Sequence, residues 1–432
     1  MMRFISIPRR NGSSRLAVAN DMANLFSPGN SASQTSWQTK TPSLGHSTRG
    51  FSLVELMVAM TIGLILTIGV VQIFSASRST YMLDEGLARA QENGRFAIEF
   101  MSREIRHAAH LGCRRNVSVF NNLVGAQPLY TVSGVFGYEY NATATGPGNT
   151  YPIPPSPSNT TAGWMPALPA VTGAGALPGS DVIGVERFTP TPINIAATTT
   201  RTTVLMVPPA QANQFKVNDI VMITDCQKAS IFQVTAVDLA TGAVSHDLGG
   251  DPPGNRCGVW ENNIGGTNAA GDACNEQVYE PNAMIGQVAS VYFYVARGNP
   301  PDNRPTLYQN IIAPSGAGAP APLVEGVENI QILYGVDDTT PPDGVPERYV
   351  PANSVPDFTR VVSIRLGVLV DSVNASGPVA SQSPLNTDAY NVADQVLDTD
   401  TYNVAGTIID PQNDRLKRRV FTTTIQLRNR GI

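Results

Sequence analysis

Charged residues are scarce in this chain of 432 residues, and the side chains on which most catalytic sites depend are scarcer still. Asp, Glu, Lys and Arg together make up 15% of the chain, and there are four histidines. The sequence contains no zinc-hydrolase pattern H-E-x-x-H, no nucleophile pattern G-x-S-x-G and no phosphate-binding loop. Because no general base with an orienting partner is visible, we expect no enzyme activity and no catalytic residues.

Cysteine is also rare, and its four positions all follow a long apolar segment: Cys113, Cys226, Cys257 and Cys274. None of these residues forms a C-x-x-C pair, which argues against a zinc site or a thioredoxin-like site. An even number of cysteines in an extracytoplasmic domain favours two disulfides, and four cysteines allow three pairings.

Acidic side chains are nearly absent from the first 50 residues. This segment carries one acid, Asp21, against six basic residues: Arg3, Arg9, Arg10, Arg15, Lys40 and Arg49. The rest of the chain is acidic, since the net charge of the whole is −5. A basic leader before an acidic body suits a membrane protein whose leader stays in the cytoplasm, and it argues against nucleic-acid binding by the body.

Residues 56–74 carry no formal charge, and this run is long enough to cross a bilayer as a helix. Glu55 directly precedes this run, five residues after Gly50 and four after Phe51. An ionised carboxylate at the edge of hydrocarbon is costly and indicates a partner charge. Cleavage between Gly50 and Phe51 would create one, the new α-amino group, which Glu55 of a neighbouring subunit could approach.

The segment Gly50-Phe51-Ser52-Leu53-Val54-Glu55 before an apolar run resembles the class III signal of type IV pilins and type II secretion pseudopilins. The resemblance implies that a prepilin peptidase cuts after Gly50 and methylates the amino group of Phe51. It also implies that Glu55 is the glutamate used in assembly. A 50-residue leader is long for this class, and Met22 is an alternative start of translation.

Helical periodicity continues beyond the apolar run. A stripe of apolar and small residues steps by three or four positions: Leu83, Leu87, Ala90, Gly94, Ala97, Met101, Ile105 and Ala108. The opposite face carries charges from Arg89 to Arg103. This pattern predicts one helix over residues 51–111, membrane-spanning over about 51–74, with a sheet covering the stripe.

After Cys113 the pattern changes to short strands separated by turns. We predict strands at 181–188, 203–208, 219–225, 231–238, 288–296, 323–334, 360–371 and 419–428. The segments 141–180 and 372–400 are of low complexity and are predicted to be loop insertions outside the core. The expected fold class is α+β and pilin-like, with a leader at 1–50, the long helix at 51–111 and a periplasmic antiparallel β-domain at 112–432.

The second half resembles the PilW family of minor pilins, on the segment from Leu323 to Asp337 and on the stretches 363–370 and 420–429. The resemblance implies a role in starting pilus assembly, in a tip complex with other minor pilins. Implied partners are the prepilin peptidase, the major pilin, other minor pilins and the inner membrane, with a tip adhesin as a further candidate.

The same resemblance implies a single-pass inner-membrane protein with its N-terminus in the cytoplasm and its body in the periplasm, which later enters the filament or its tip. Two other functions stay open: a type II secretion pseudopilin, related to pseudopilin J, and a tip adhesin or DNA-uptake subunit. Neighbouring genes would distinguish a pilus from a secretion system. The acidic body disfavours DNA as a ligand.

One acidic turn is a weak candidate for a calcium site. Asp337, Asp338 and Asp343 lie close together after a predicted strand, and carboxylates grouped around a glycine can bind Ca²⁺. The segment between them, Thr339 to Pro342, supplies no further acid, so the ligand count is low. A solvated turn is the simpler interpretation, and no other cofactor is expected.

We predict that the cysteines form the disulfides Cys113–Cys226 and Cys257–Cys274. The second would close a loop of 18 residues, and chain-entropy models give such a loop roughly 3 kcal/mol of stabilisation. Peptide mapping under non-reducing conditions should recover these two cross-linked pairs, and a free thiol in the exported domain would contradict the prediction.

Overall fold

The computed structural model describes much of the chain after residue 49. The described residues are 50–108, 110, 117–124, 133–140, 150–153, 158–168, 175–188, 193–199, 205–251, 254–257, 266–267, 273–274, 278–298, 303–313, 316–372, 391–392, 395–396, 402–405, 407–411 and 416–429. The chain divides into two compact units, Met1–Leu66 and Thr67–Ile432.

One long helix precedes a mostly β domain. Helix α1 spans Leu53–Arg106. The strands are β1 Ser118–Asn121, β2 Val135–Tyr140, β3 Thr150–Ile153, β4 Trp164–Met165, β5 Val182–Phe188, β6 Ile193–Asn194, β7 Leu205–Met206, β8 Ile220–Thr224, β9 Lys228–Gln233, β10 Ala236–Asp238, β11 Ala243–Ser245, β12 Gly266–Thr267, β13 Ala273–Cys274, β14 Met284–Arg297, β15 Pro305–Ala313, β16 Gly316–Ala317, β17 Ala321–Glu325, β18 Val327–Val336, β19 Arg348–Val350, β20 Val361–Asp371, β21 Asn391–Val392, β22 Gln395–Val396, β23 Tyr402–Val404, β24 Thr407–Pro411 and β25 Arg418–Gln426. Short 3-10 helices span Pro209–Gln214, Ala352–Ser354 and Phe358–Arg360.

The second half of α1 is amphipathic, as the sequence predicts. Its stripe is buried at Ala90, Gly94, Ala97, Met101 and Ile105, whereas the charged face from Arg89 to Arg103 is exposed. The helix ends at Arg106, short of the predicted residue 111, and Asn429 caps it by donating from Nδ2 to the Ala108 carbonyl at 2.9 Å. The stripe therefore defines how this half of the helix meets the β-domain.

Two sheets account for most of the described strands. In the larger sheet β14 is central and pairs with β5, β6, β8 and β15, while the path β1-β9-β8-β14-β5-β2-β4 gives the main strand order. The second sheet has the order β19-β18-β20-β25 and is antiparallel throughout. The predicted mainly antiparallel β-domain is thus confirmed.

The principal core lies where α1 meets both sheets. Met101 and Ile105 are fully buried against side chains that include Phe293 of the larger sheet and Leu366 and Ile425 of the four-stranded sheet. Full burial of a side chain of this size stabilises a fold by about 1.5–3 kcal/mol. The same cluster draws on β5, β14, β18, β20 and β25, so the helix and both sheets share one core.

Close approach between α1 and the four-stranded sheet depends on Gly94. A Cβ atom at this position would overlap the ring of Phe421, which lies on β25 directly over the glycine. The helix meets the larger sheet nearby, where Asn93 Nδ2 donates to the Glu325 carbonyl at 3.0 Å. The small residues of the stripe thus have a packing role that periodicity alone does not reveal.

The prediction of one strand at 323–334 was wrong, because the segment forms two strands, β17 and β18. Gly326 has a φ of 78°, a conformation that favours glycine because it has no Cβ. Before it, β17 pairs with β15 in the larger sheet; after it, β18 pairs with β20 in the other. Gly326 therefore turns a single apolar run from one sheet into the next.

Two other boundary predictions also differ from the structure. The predicted strand 231–238 is divided into β9 and β10, which belong to different sheets. The segment 141–180 was expected to lie outside the core, yet Trp164, Ala176 and Leu177 are buried in it. Trp164 Nε1 donates to the Ser180 carbonyl at 2.9 Å. Proline and glycine in this segment shape buried turns, which composition does not distinguish from surface loops.

A buried ion pair joins β18 and β25, the two strands on either side of β20 in the four-stranded sheet. Arg418 at the start of β25 bonds through two nitrogens to the carboxylate of Glu328, with Nη2 to Oε1 at 2.9 Å. Both side chains are almost fully buried. Glu328 occupies the register shift at the start of β18, which turns its side chain into the pair. Arg418 is also in register with Asp371, whose carboxylate lies 3.6 Å from Arg304.

Replacing Arg418 with methionine should lower the free energy of unfolding by about 3–5 kcal/mol, because Glu328 is left as a buried charge without its guanidinium. Urea unfolding of the full chain in mild detergent, followed by tryptophan fluorescence, measures this loss. Arg418→Met combined with Glu328→Met should regain most of the stability, since no charge is then left buried. Equal losses in the single and double variants would contradict this account of the pair.

Candidate functional site

Residues 50–52, directly before α1, are exposed and belong to no helix or strand. Gly50 is exposed, and a Cβ built on it would meet no heavy atom within 4 Å. Phe51 is 83% exposed, and the first helical turn closes where the Leu56 N–H donates to the Ser52 carbonyl at 3.1 Å. The peptide bond between Gly50 and Phe51 therefore lies outside the helix, where a protease can grip extended backbone.

Glu55 belongs to the first turn of α1 and is exposed. A carboxylate in this position is favoured by the unpaired N–H groups of a helix N-terminus, an effect of about 0.3–1 kcal/mol at a surface. A free amino group on Phe51 would add a second positive charge at the same end of the helix. Glu55 thus lies at the electropositive end of α1, available to a cation from the same or another subunit.

The apolar part of α1 is exposed among the residues that the structure describes. An 18-residue window of the helix has a mean hydropathy of 2.3, and none of that window is buried. Side chains such as Leu64, Ile65 and Phe74 are 64–69% exposed. A contiguous apolar surface of this extent requires lipid or other helices around it.

The acidic turn after β18 brings together a set of carboxylates different from the predicted one. Asp337 and Asp343 are joined by Glu347, and ligand atoms of the three lie within 4.8 Å of one another. Asp338 is turned away and pairs with Arg348. Asp338, one of the weak candidates, therefore lies outside this group, and Glu347, which was not among the candidates, lies beyond a proline-rich turn.

The acidic turn is already satisfied by donors of the protein. The Asp337 carboxylate accepts bonds from Thr339 and from the Gly344 N–H, and these lower its pKa although desolvation acts to raise it. Arg360 bonds to the carbonyls of Asp337 and Thr339, which a cation would otherwise use. These residues fit calcium poorly, and the calcium site stays a prediction without structural support.

The cysteines are only partly within the described residues. Cys226 and Cys257 each take part in a disulfide bond. Cys257 is buried. Asn122 holds the backbone of Cys257 by accepting from its N–H and donating to its carbonyl, at 2.9 and 3.1 Å. Cys113 and the side chain of Cys274 lie outside the described residues, so the predicted pairing stays a prediction.

Two family models match the chain. The model of the prokaryotic N-terminal methylation motif matches residues 45–71, and that of the type IV pilus-assembly protein W, PilW, matches residues 292–429. Together these matches support a type IV pilin of the PilW family. No curated protein and no solved structure matches the chain.

The two matches cover separate parts of the fold. The methylation motif covers Gly50, Phe51, Glu55 and the first apolar turns of α1. The PilW match runs from within β14 to the end of β25 and includes the whole four-stranded sheet that buries the α1 stripe. The motif and the long apolar helix show a single-pass inner-membrane anchor in a pilus component.

Replacing Gly50 with a bulky residue should stop processing at the Gly50–Phe51 bond. Although a side chain at Gly50 has room in this structure, it would intrude where a protease must hold the backbone beside the membrane. Intact-mass measurement should find N-terminal methylated Phe51 in the unaltered protein and full-length precursor in Gly50→Leu.

A matched control is Gly63→Leu, which adds the same side chain at another open position of the apolar segment. This variant should be processed normally. Filament-associated protein that begins at Met1 or Met22 would refute the processing site.

Proposed function

We propose that this pilin takes part in initiating type IV pilus assembly, as a minor pilin in a complex at the filament tip. The observation that carries the proposal is Glu55, a carboxylate in the first turn of an otherwise apolar helix, four residues after the residue that processing would expose. Together with the two family matches, this arrangement supports a subunit that packs α1 against the helices of other pilins.

The role of Glu55 follows from the cost of charge in a helical bundle. Processing creates an α-amino group on Phe51, and the carboxylate of a neighbouring subunit can neutralise it at the same depth. Breaking such a pair when it is buried costs about 3–5 kcal/mol, because the remaining charge stays desolvated. Pairing of this kind selects processed subunits for assembly, since the precursor has no amino group at Phe51.

The size of the β-domain supports a position at the tip. Only one of the hydrophobic clusters among the described residues contains α1; others are built around β8, β9 and β14 or around Trp164. The domain thus extends well beyond what is needed to cover the helix. A terminal subunit has no neighbour above it, so a large domain is tolerated there without obstructing a helical lattice.

The expected partners follow from this role. The prepilin peptidase processes the leader, other minor pilins form the complex, and the major pilin continues the filament. The family is a structural one, so the proposed activity is assembly and not catalysis. A tip ligand or adhesin would bind the β-domain. Strands β1 to β13 of this domain lie outside the PilW match.

Replacing Glu55 with alanine should leave the protein inserted and processed but reduce its incorporation by two to three orders of magnitude. This corresponds to about 3–5 kcal/mol for an amino group left unpaired. The experiment expresses Glu55→Ala in a strain that lacks the native protein and measures membrane level, N-terminal processing and surface pili together.

Glu55→Gln is the matched variant, because it keeps the shape of the side chain and removes only the charge. Glu92→Gln, on the exposed face of the second half of α1, controls for the loss of a carboxylate elsewhere on the helix. Loss of pili with both Glu55 variants supports the assembly role. Normal pili at normal expression of either variant would contradict the assembly role and would indicate that α1 serves only as a membrane anchor.

A further inference from the structure

Two carboxyl groups face each other where the larger sheet meets the four-stranded sheet. Glu139 lies on β2, and Asp181, which is 2% exposed, comes directly before β5. They are within hydrogen-bonding reach of each other. Glu139 Oε2 and Asp181 Oδ1 are both inaccessible to solvent, and no donor of the described residues bonds to either oxygen. Two ionised carboxylates could not stay in this arrangement without a large repulsion.

Asp181 also connects the two sheets. Its Oδ2 accepts from the Ile332 N–H on β18 at 2.8 Å, and its own N–H donates to the Ile330 carbonyl at 2.9 Å. The preceding residues continue this connection, because the Gly179 carbonyl accepts from the side-chain amides of Asn329 and Gln331 at 2.7 and 2.8 Å. The carboxyl pair is therefore part of the seam between the sheets.

The groups packed around the pair supply no positive charge. Tyr138 of β2 and Tyr334 of β18 present phenols, and the Tyr334 hydroxyl is buried without a hydrogen-bond partner. The ring of Tyr292 on β14 packs 6.4 Å from that of Tyr138, and Glu186 of β5 acts on Tyr138 as a further negative charge.

The 3-10 helices beside β2 do not neutralise the pair either. The Ala352 N–H donates to Glu139. Arg360 directs its guanidinium at the carbonyls of Asp337 and Thr339. Among the described residues, no Lys or Arg affects the pKa of Glu139 or of Asp181.

We propose that Glu139 and Asp181 share one proton, and that this proton fastens the larger sheet to the four-stranded sheet. With the proton present, a hydrogen bond joins Glu139 Oε2 to Asp181 Oδ1 and only one negative charge is buried. When the proton is lost, two carboxylates repel each other at the seam. The β-domain is thereby more firmly closed in mildly acidic surroundings than in alkaline ones.

The electrostatic environment agrees with this geometry. Burial raises the pKa of Glu139 from 4.5 to about 7, and burial followed by the charge of Glu139 raises the pKa of Asp181 well above its usual range. The folded protein therefore holds more protons than the unfolded chain between about pH 4.5 and 7. Stability from this pair is present below that window and is lost as the pH rises through it.

The test is urea unfolding of the full chain in mild detergent at a series of pH values from 5 to 8. The pair should lower the folding equilibrium constant by about two orders of magnitude across this range. Glu139→Gln and Asp181→Asn should each flatten that dependence, because one carboxyl is removed. Glu92→Gln, which removes an exposed carboxylate, is the matched control and should retain the full dependence.

Infrared spectroscopy of the unaltered protein gives a second readout that requires no folded variant. At pH 6 to 6.5, where ordinary carboxyls are ionised, a carbonyl band of a buried protonated acid should persist and should disappear on raising the pH. Absence of this band would overturn the proposal, as would an unchanged pH dependence in both variants. Stabilisation by Ca²⁺ or Mg²⁺ at pH 8 that Glu139→Gln abolishes would also overturn it, because a cation would then occupy the place of the proton.

Discussion

The burial of one stripe on α1 is the interaction on which the rest of the β-domain depends. Ala90, Gly94 and Ala97 have little or no side chain, and this lets Phe421 and its strand lie against the helix backbone. Larger residues at Met101 and Ile105 then fill the space between the two sheets. Because both sheets share this core, their mutual arrangement follows from how closely each can approach the helix.

The β-domain contains two pairs of buried ionisable groups, one within the four-stranded sheet and one where the two sheets meet, and their charges are balanced in different ways. Glu328 meets Arg418, and the opposite charges offset much of each other's desolvation cost. No described Lys or Arg neutralises Glu139 and Asp181, and in our proposal a proton supplies the compensation. An ion pair is insensitive to pH near neutrality, whereas a shared proton is not, so only the carboxyl pair makes stability depend on the pH of the surroundings.

Sequence patterns predicted the elements whose formation depends on residues close together in the chain. The apolar run and the stripe of α1 follow from helical periodicity, and β5, β14, β20 and β25 follow from dense β-branched and aromatic runs. Strands β2 and β15 were missed, since Gly137 interrupts the first and polar residues such as Gln309 and Asn310 interrupt the second. Asn310 is buried nevertheless, and burial of a polar residue depends on partners that are distant in sequence.

The acidic turn illustrates the same limit in a candidate site. Spacing along the chain grouped Asp337, Asp338 and Asp343. In the structure Asp338 forms an ion pair with Arg348, and Glu347 lies beside Asp337 and Asp343 instead. Arg348 reaches Asp338 through the pairing of β18 with β19, and Arg360, which bonds to the Asp337 carbonyl, comes from a 3-10 helix. Spacing could not reveal these competitors.

The sequence determined the N-terminal segment of this pilin, because the signal of Gly50, Phe51 and Glu55 and the apolar run act through chain order and helix geometry alone. It also determined which face of α1 is buried. Tertiary structure decided where one apolar run divides at Gly326 between two sheets and which carboxyl groups meet. Those outcomes depend on contacts such as that of Asp181 with Ile332, some 150 residues apart, whose energies no local pattern contains.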